Sequence, residues 1–103
     1  MAEVRTVNVR AERFDDIDAA MDKAGAFEFY KIGEKYPAGI IYNCPCGCKA
    51  QGSLAFKPAG NPSWSFDGNM ERPTLHPSIN HRGHWHGWLI RGVWTHDPGT
   101  VPA

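Results

Sequence analysis

All three cysteines of this 103-residue chain, Cys44, Cys46 and Cys48, lie within the short stretch NCPCGCKA, residues 43–50. In an extended segment, residues two apart point the same way, so neighbouring members of the set can offer two sulfurs to one ion. Pro45 stiffens the approach, and Gly47 can adopt a positive φ that lets the chain curl around the ion. Clustered thiolates repel one another, and a divalent cation removes that cost. Sulfur with nitrogen partners favours zinc. The bland readings are a disulfide and three inert buried thiols. The odd count and the strained ring that a Cys-x-Cys bridge would close argue against the first. A Pro-Gly turn is a poor place for the second.

Nitrogen partners must come from elsewhere. The segment HRGHWHGW, residues 81–88, holds His81, His84 and His86, and His76 and His96 are the remaining histidines. A single histidine is usually an ordinary surface or core residue. Three within six residues, in a chain with a thiol cluster, shift that balance. The favoured ligand set is Cys46, Cys48 and His86, with His84 or Cys44 completing a tetrahedron around zinc.

Other residues could do chemistry, each with a plainer alternative. Pro73 and Pro77 shape the segment PTLHPS, which could present Ser78 or His76 to a substrate, but no Ser/His/Asp set stands at a recognisable spacing. Asp67, Glu71 or Asp97 could act as general base for a zinc-bound water, or simply be a solvated turn residue. Trp64, Phe66, Trp85, Trp88 and Trp94 could line a ligand groove. A core role accounts for most of them, because tryptophan buries much area in a small domain. Arg82 and Arg91, beside Trp85 and Trp88, could contact nucleic acid by stacking and phosphate pairing.

The elements that would position these residues are short. Residues 3–10, 26–33, 39–44, 51–58 and 63–66 read as strands, and 86–96 reads as a hairpin with Arg91-Gly92 at its bend. Asp15 or Asp16 can cap a helix over residues 15–24, with Ile17, Ala20, Met21 and Ala24 on one face and Gly25 as its stop. Pro73 and Pro77 argue against long regular structure between Glu71 and Arg82, and residues 97–103 read as a flexible tail. The expected fold is α+β: mostly antiparallel β, one N-terminal helix and a Cys/His metal site in a single domain over residues 1–103.

Composition narrows the function. Eleven basic and eleven acidic side chains give zero formal net charge, which weakens any case for wholesale binding to nucleic acid or anionic membrane. No apolar run approaches the roughly 20 residues of a membrane helix, and the first residues lack a signal-peptide core. A cytoplasmic setting in a bacterial host, with reduced thiols, is the expectation.

Four ordered motifs resemble a family of small phage and prophage proteins of unknown function, often labelled "ammonia monooxygenase". They are CPCGC (44–48), WSFDGN (64–69), PTLHPSI (73–79) and HWHGWLIRG (84–92). The resemblance covers roughly residues 43–93 and implies a compact domain with a Cys/His metal site. His84 stands where such relatives often carry a cysteine, and Lys49 replaces a more usual glycine. The enzyme label carries no weight, since ammonia monooxygenase is an integral membrane assembly of several subunits.

The leading expectation is therefore a zinc-stabilised phage or prophage accessory protein that binds a macromolecule, in the first instance a protein. A metal joining residues 44–48 to 84–86 would staple a small core. The alternatives are a zinc-dependent hydrolase with an open coordination position and a nucleic-acid-binding zinc module.

Overall fold

The computed structural model describes residues 8–30, 37–57, 62–81, 83 and 85–101. Residues 3–7 and 31–33 of the expected strands, Pro58, Arg82, His84 and the last two residues of the tail lie outside that set.

The described chain forms two antiparallel sheets. β1 (Val9–Arg10), β8 (Val93–Thr95), β7 (Trp85–Ile90), β6 (Leu75–His81) and β5 (Ser65–Phe66) lie side by side in one sheet, and β2 (Phe27–Tyr30), β3 (Gly39–Asn43) and β4 (Gln51–Ala55) form the other. Alternation explains how they pack, since successive side chains of a strand face opposite ways. Phe27 and Phe29 of β2, Ile40 and Tyr42 of β3, and Leu54 of β4 are buried from one sheet. Leu75 and Ile79 of β6, Trp85 and Leu89 of β7, and Trp94 of β8 are buried from the other and join the same core. Rings meet across the layers: Tyr42 lies 5.0 Å from Trp94, and Phe29 lies 5.6 Å from Phe66. The indole Nε1 of Trp94 donates to the Gly25 carbonyl at 2.8 Å, so this deeply buried tryptophan leaves no polar atom unpaired. No helix among the described residues is long and apolar enough to cross a membrane.

The expected N-terminal helix is absent, and with it the α+β class. Residues 15–24 contain a single 3₁₀ turn, Ile17–Ala20. Four aspartates in this segment, Asp15, Asp16, Asp18 and Asp22, favour caps and turns over helix interiors. Ten residues also fall short of the length at which a helix holds itself together. The turn's polar groups are claimed by the sheet instead. The Glu28 carboxylate accepts from Ile17 N–H at 2.8 Å, and the Asn43 side-chain amide donates to the carbonyls of Ala20 and Lys23. The supposed apolar stripe is not buried as one, since Met21 remains 60% exposed.

A second difference concerns Glu71–Arg82. Despite two prolines, this region contains β6, the longest described strand at 7 residues. Its register against β7 shifts between Leu75 and Ile79. Pro77 falls within that irregularity, where the missing N–H costs no ladder bond. The hairpin expected over 86–96 is present as β7 and β8, with Arg91 and Gly92 at positive φ (46° and 76°) in its bend.

Candidate active site and thiol cluster

β6 and β7 bring together two residues that the sequence keeps apart. Ile79 faces Gly87 and Asn80 faces His86 across the ladder. Because Ile79 and Trp85 point into the core, Ser78, Asn80, His86 and Trp88 belong to the opposite face. There the Ser78 Oγ and His86 Nε2 lie 3.3 Å apart. The Trp88 ring stacks beside the imidazole, with centroids 6.3 Å apart and planes inclined by 24°. The backbone on either side is fixed as well: Trp64 Nε1 donates to the Ser78 carbonyl at 3.3 Å, and His96 Nδ1 bonds the His86 carbonyl at 2.8 Å. Gly87, next to His86, leaves the space that the Thr95 carbonyl and the Trp85 indole occupy.

A hydroxyl at hydrogen-bond range of an imidazole nitrogen is the minimal unit for nucleophilic catalysis: the imidazole can take the proton as the oxygen attacks a carbonyl carbon. The imidazole is exposed and Ser78 is half-buried, so the pair opens to solvent on a sheet face. Among the described residues no carboxylate bonds the imidazole; the Trp88 ring lies against it instead.

The three cysteines form a separate centre. β3 and β4 end their ladder at the pair Asn43 and Gln51. The loop between them is closed by Cys44 N–H donating to the Ala50 carbonyl at 2.8 Å, and Gly47 N–H turns back to the Cys44 carbonyl at 3.1 Å. Gly47 (φ 89°) and Lys49 (φ 69°) supply the left-handed positions that this tight loop requires. The result gathers the three sulfurs within 4.8 Å of one another, with Cys44 and Cys46 at 3.2 Å. Sulfurs bound tetrahedrally to one zinc at about 2.3 Å stand about 3.8 Å apart, so the set suits a single ion after small adjustments.

Their acidities differ with position. Burial pushes the Cys44 thiol up to about 12; the Cys46 N–H pulls it down, while the neighbouring thiols push it further up. Cys48 sits at the exposed end of the loop. Its slight burial raises the pKa, but hydrogen bonds from the Ala50 N–H and the two other thiols prevail and hold it below its ordinary value. Tyr42, on the strand leading to the loop, is raised to about 12 by burial and then by Cys44 and Cys48. A metal at this loop must therefore displace a proton from Cys44.

The sequence-derived ligand set is thus divided. Cys44, Cys46 and Cys48 come together, so three cysteines here could hold a metal ion. His86 is not part of their cluster and faces Ser78. His84 lies outside the described residues. The three acids considered as general bases have other partners: Asp67 accepts from Asn69 and Thr74 N–H groups, Asp97 from Gly99 N–H, and Glu71 pairs with Arg13 at 3.5 Å. Of the aromatic residues, Trp85 and Trp94 are core, Trp64 and Phe66 pack against it, and Trp88 lies over His86.

A family model described as "Bacterial ubiquitination-like system serine protease (BubE)" matches residues 14–96, well over half of the chain. That span contains Ser78, His86 and all three cysteines. No curated protein and no solved structure matches the chain.

Proposed function

The chain belongs to the BubE family, and on that premise we propose that it is a serine protease in which Ser78 is the nucleophile and His86 the general base. The observation that carries this reading is the 3.3 Å approach of Ser78 Oγ to His86 Nε2, within the span matched by a family described as serine proteases of a bacterial ubiquitination-like system. His86 Nε2 accepts the hydroxyl proton while Oγ bonds to the carbonyl carbon of a peptide or isopeptide bond. The imidazolium then returns that proton to the departing amine, leaving an acyl-serine that water hydrolyses with His86 again as base. For Nε2 to accept, the ring proton must sit on Nδ1, and the Trp88 face holds the ring in the plane this requires.

The thiol loop has a different task. Cys44, Cys46 and Cys48 bind a zinc ion, with His84 as the proposed fourth donor. When bound, the ion would hold the loop between β3 and β4 closed. Three thiolate donors from one loop favour a structural site over a metal-activated water.

A fluorophosphonate probe tests the catalytic reading. It should add covalently to Ser78, as located by peptide mass mapping, and Ser78→Ala and His86→Ala should each lose the label. A native, folded chain that takes up no probe at Ser78 overturns the assignment.

A further inference from the structure

The strand that carries Ser78 is paired on its outer side for only part of its length. β5 pairs with β6 at Leu75 and His76 alone. Beyond His76, no strand among the described residues runs along that edge, and Asn80 is exposed. The backbone orientation on this edge follows from two bonds. The Thr74 carbonyl accepts from Asp67 N–H at 3.2 Å, and the Ser78 carbonyl accepts from the Trp64 indole at 3.3 Å, both on the β5 side. Along an antiparallel strand the N–H and C=O of alternate residues face the same edge. Residues 74 and 78 face outward, so Asn80 presents both its N–H and its C=O outward too. Trp64 substitutes for the missing strand at Ser78, and no described strand pairs with the next outward position.

We infer that the substrate binds as an extended peptide segment that adds as a strand to the open edge of β6. Its backbone pairs with Asn80, and its scissile carbonyl falls beside Ser78. This rests on the reading of Ser78 as nucleophile. An unpaired edge accepts a strand of almost any sequence through main-chain bonds. What singles out a substrate as the occupant is continuity: Asn80 is two residues from Ser78, about 6.6 Å along the strand. One bound residue therefore separates the pairing point from the attacked bond. The Ser78 hydroxyl lies 3.3 Å from His86 Nε2, so a carbonyl brought to the nucleophile is brought to the base as well. The inference gives the site a substrate class: a flexible, extended stretch such as a terminal tail or loop, read mainly by its backbone. A folded surface that cannot offer a free strand is excluded.

The native chain is incubated with a library of peptides from a digested bacterial proteome, and cleaved products are identified by mass spectrometry. A cleaved peptide is then resynthesised with single N-methyl groups at successive backbone amides. Strand pairing predicts an alternating pattern: methylation of inward-facing amides near the cut slows cleavage about tenfold or more, while the amides between them tolerate it. The variant Asn80→Pro removes an outward N–H from an edge position that proline can occupy. It should keep the native melting temperature and lose cleavage by a similar factor. Uniform tolerance of N-methylation, or a folded Asn80→Pro variant that cleaves as fast as the native chain, overturns the inference. So does a dimer that Asn80→Pro converts to monomer, because a second copy would then be the strand on that edge. Probe labelling at Ser78 with no library peptide cleaved also overturns it while leaving the nucleophile intact; absence of labelling removes the catalytic reading itself.

Discussion

The side-chain amide of Asn43 donates to the carbonyl of Ala20 at 2.8 Å and to that of Lys23 at 3.0 Å. The residue immediately before the first cysteine thus ties the end of β3 to the turn that precedes β2. Its own backbone joins the same clamp, since Gly25 N–H donates to the Asn43 carbonyl at 3.1 Å and Asn43 N–H donates to the Ala26 carbonyl at 2.9 Å. Asn43 is almost fully buried, so truncation leaves two carbonyls without their donor. Asn43→Ala should lower stability by about 2 kcal/mol in urea denaturation. Asn43→Asp should cost at least as much, because a carboxylate cannot donate and would be buried with its charge. A variant within about 0.5 kcal/mol of the native chain would show that water replaces the lost bonds.

In the roles proposed for them, nucleophile and base, Ser78 and His86 would act as one unit, and their substitutions should not add. Ser78→Ala and His86→Ala should each reduce peptide cleavage by about a thousandfold or more, and the double variant should be no slower than the worse single one. Trp88→Ala should give a smaller loss expressed in kcat, because the imidazole loses the surface against which it is held. Trp88→Phe should restore part of it. Steady-state kinetics on one cleaved peptide checks all four. Additive losses for Ser78 and His86 would mean that the two residues serve separate steps.

The proposed pair of Ser78 and His86 is not legible in the sequence, for a physical reason. The cysteines announce themselves by proximity, and the β7–β8 hairpin by alternating apolar residues around Arg91-Gly92. Each of the five separately expected strands overlaps an observed one, β1 to β5, and the alternation is clearest in β2, where Phe27 and Phe29 are buried between half-buried neighbours. Ser78 carries no such mark. It directly follows Pro77, a residue that argues against strand pairing in a sequence, whereas the chain shifts register around it. Once β6 is drawn through residues 75–81, alternation alone places Ser78 and His86 on one face. A Ser/His pair is defined by geometry in the fold and by no fixed spacing along the chain. Histidine ligates zinc as readily as it serves as a base, and a sequence cannot say whether His86 meets the thiols or Ser78. Residues 15–24 read as a helix for a related reason: periodic apolar residues indicate a face, but Asn43 and Glu28, distant in sequence, decide which polar groups the segment keeps for itself.

The metal-free chain should weaken in alkali, and the sign follows from two raised groups. The Cys44 thiol moves from an ordinary 9.0 to about 12, and the Tyr42 phenol from 10.0 to about 12, both chiefly by burial. A raised pKa in the folded state means that the unfolded chain releases its proton first as pH rises. The stabilisation is complete below pH 9 and is lost as pH climbs from there toward 12. Cys48 is shifted down and works the other way, adding stability as pH approaches 9 from below. Denaturation in excess chelator between pH 7 and 11 should show a shallow rise and then a decline. With zinc present Cys44 is already a thiolate, so its part of the decline should vanish and leave that of Tyr42.

Removal of zinc should separate the three cysteines by their places in the loop. Cys44 is buried in the core cluster and Cys48 is exposed, so their serine variants report different things. Cys48→Ser removes a ligand with little packing cost. It should lower the bound zinc per chain and bring the melting temperature down to that of the chelated native protein. Further chelator should then have no effect, because metal binding free energy counts as folding free energy only when the site can close. Cys44→Ser also places a hydroxyl where an apolar-packed sulfur sat, so it should melt below the chelated native chain. Elemental analysis with thermal melts, with and without chelator, measures both. If the native chain holds zinc at one per chain, yet chelation leaves its melting curve in place, the loop binds metal without stapling the fold. Probe labelling of Ser78 in the chelated protein then shows whether the active site depends on the ion: loss of labelling in step with the melt is the expected result, because β6 and β7 share one core with Cys44.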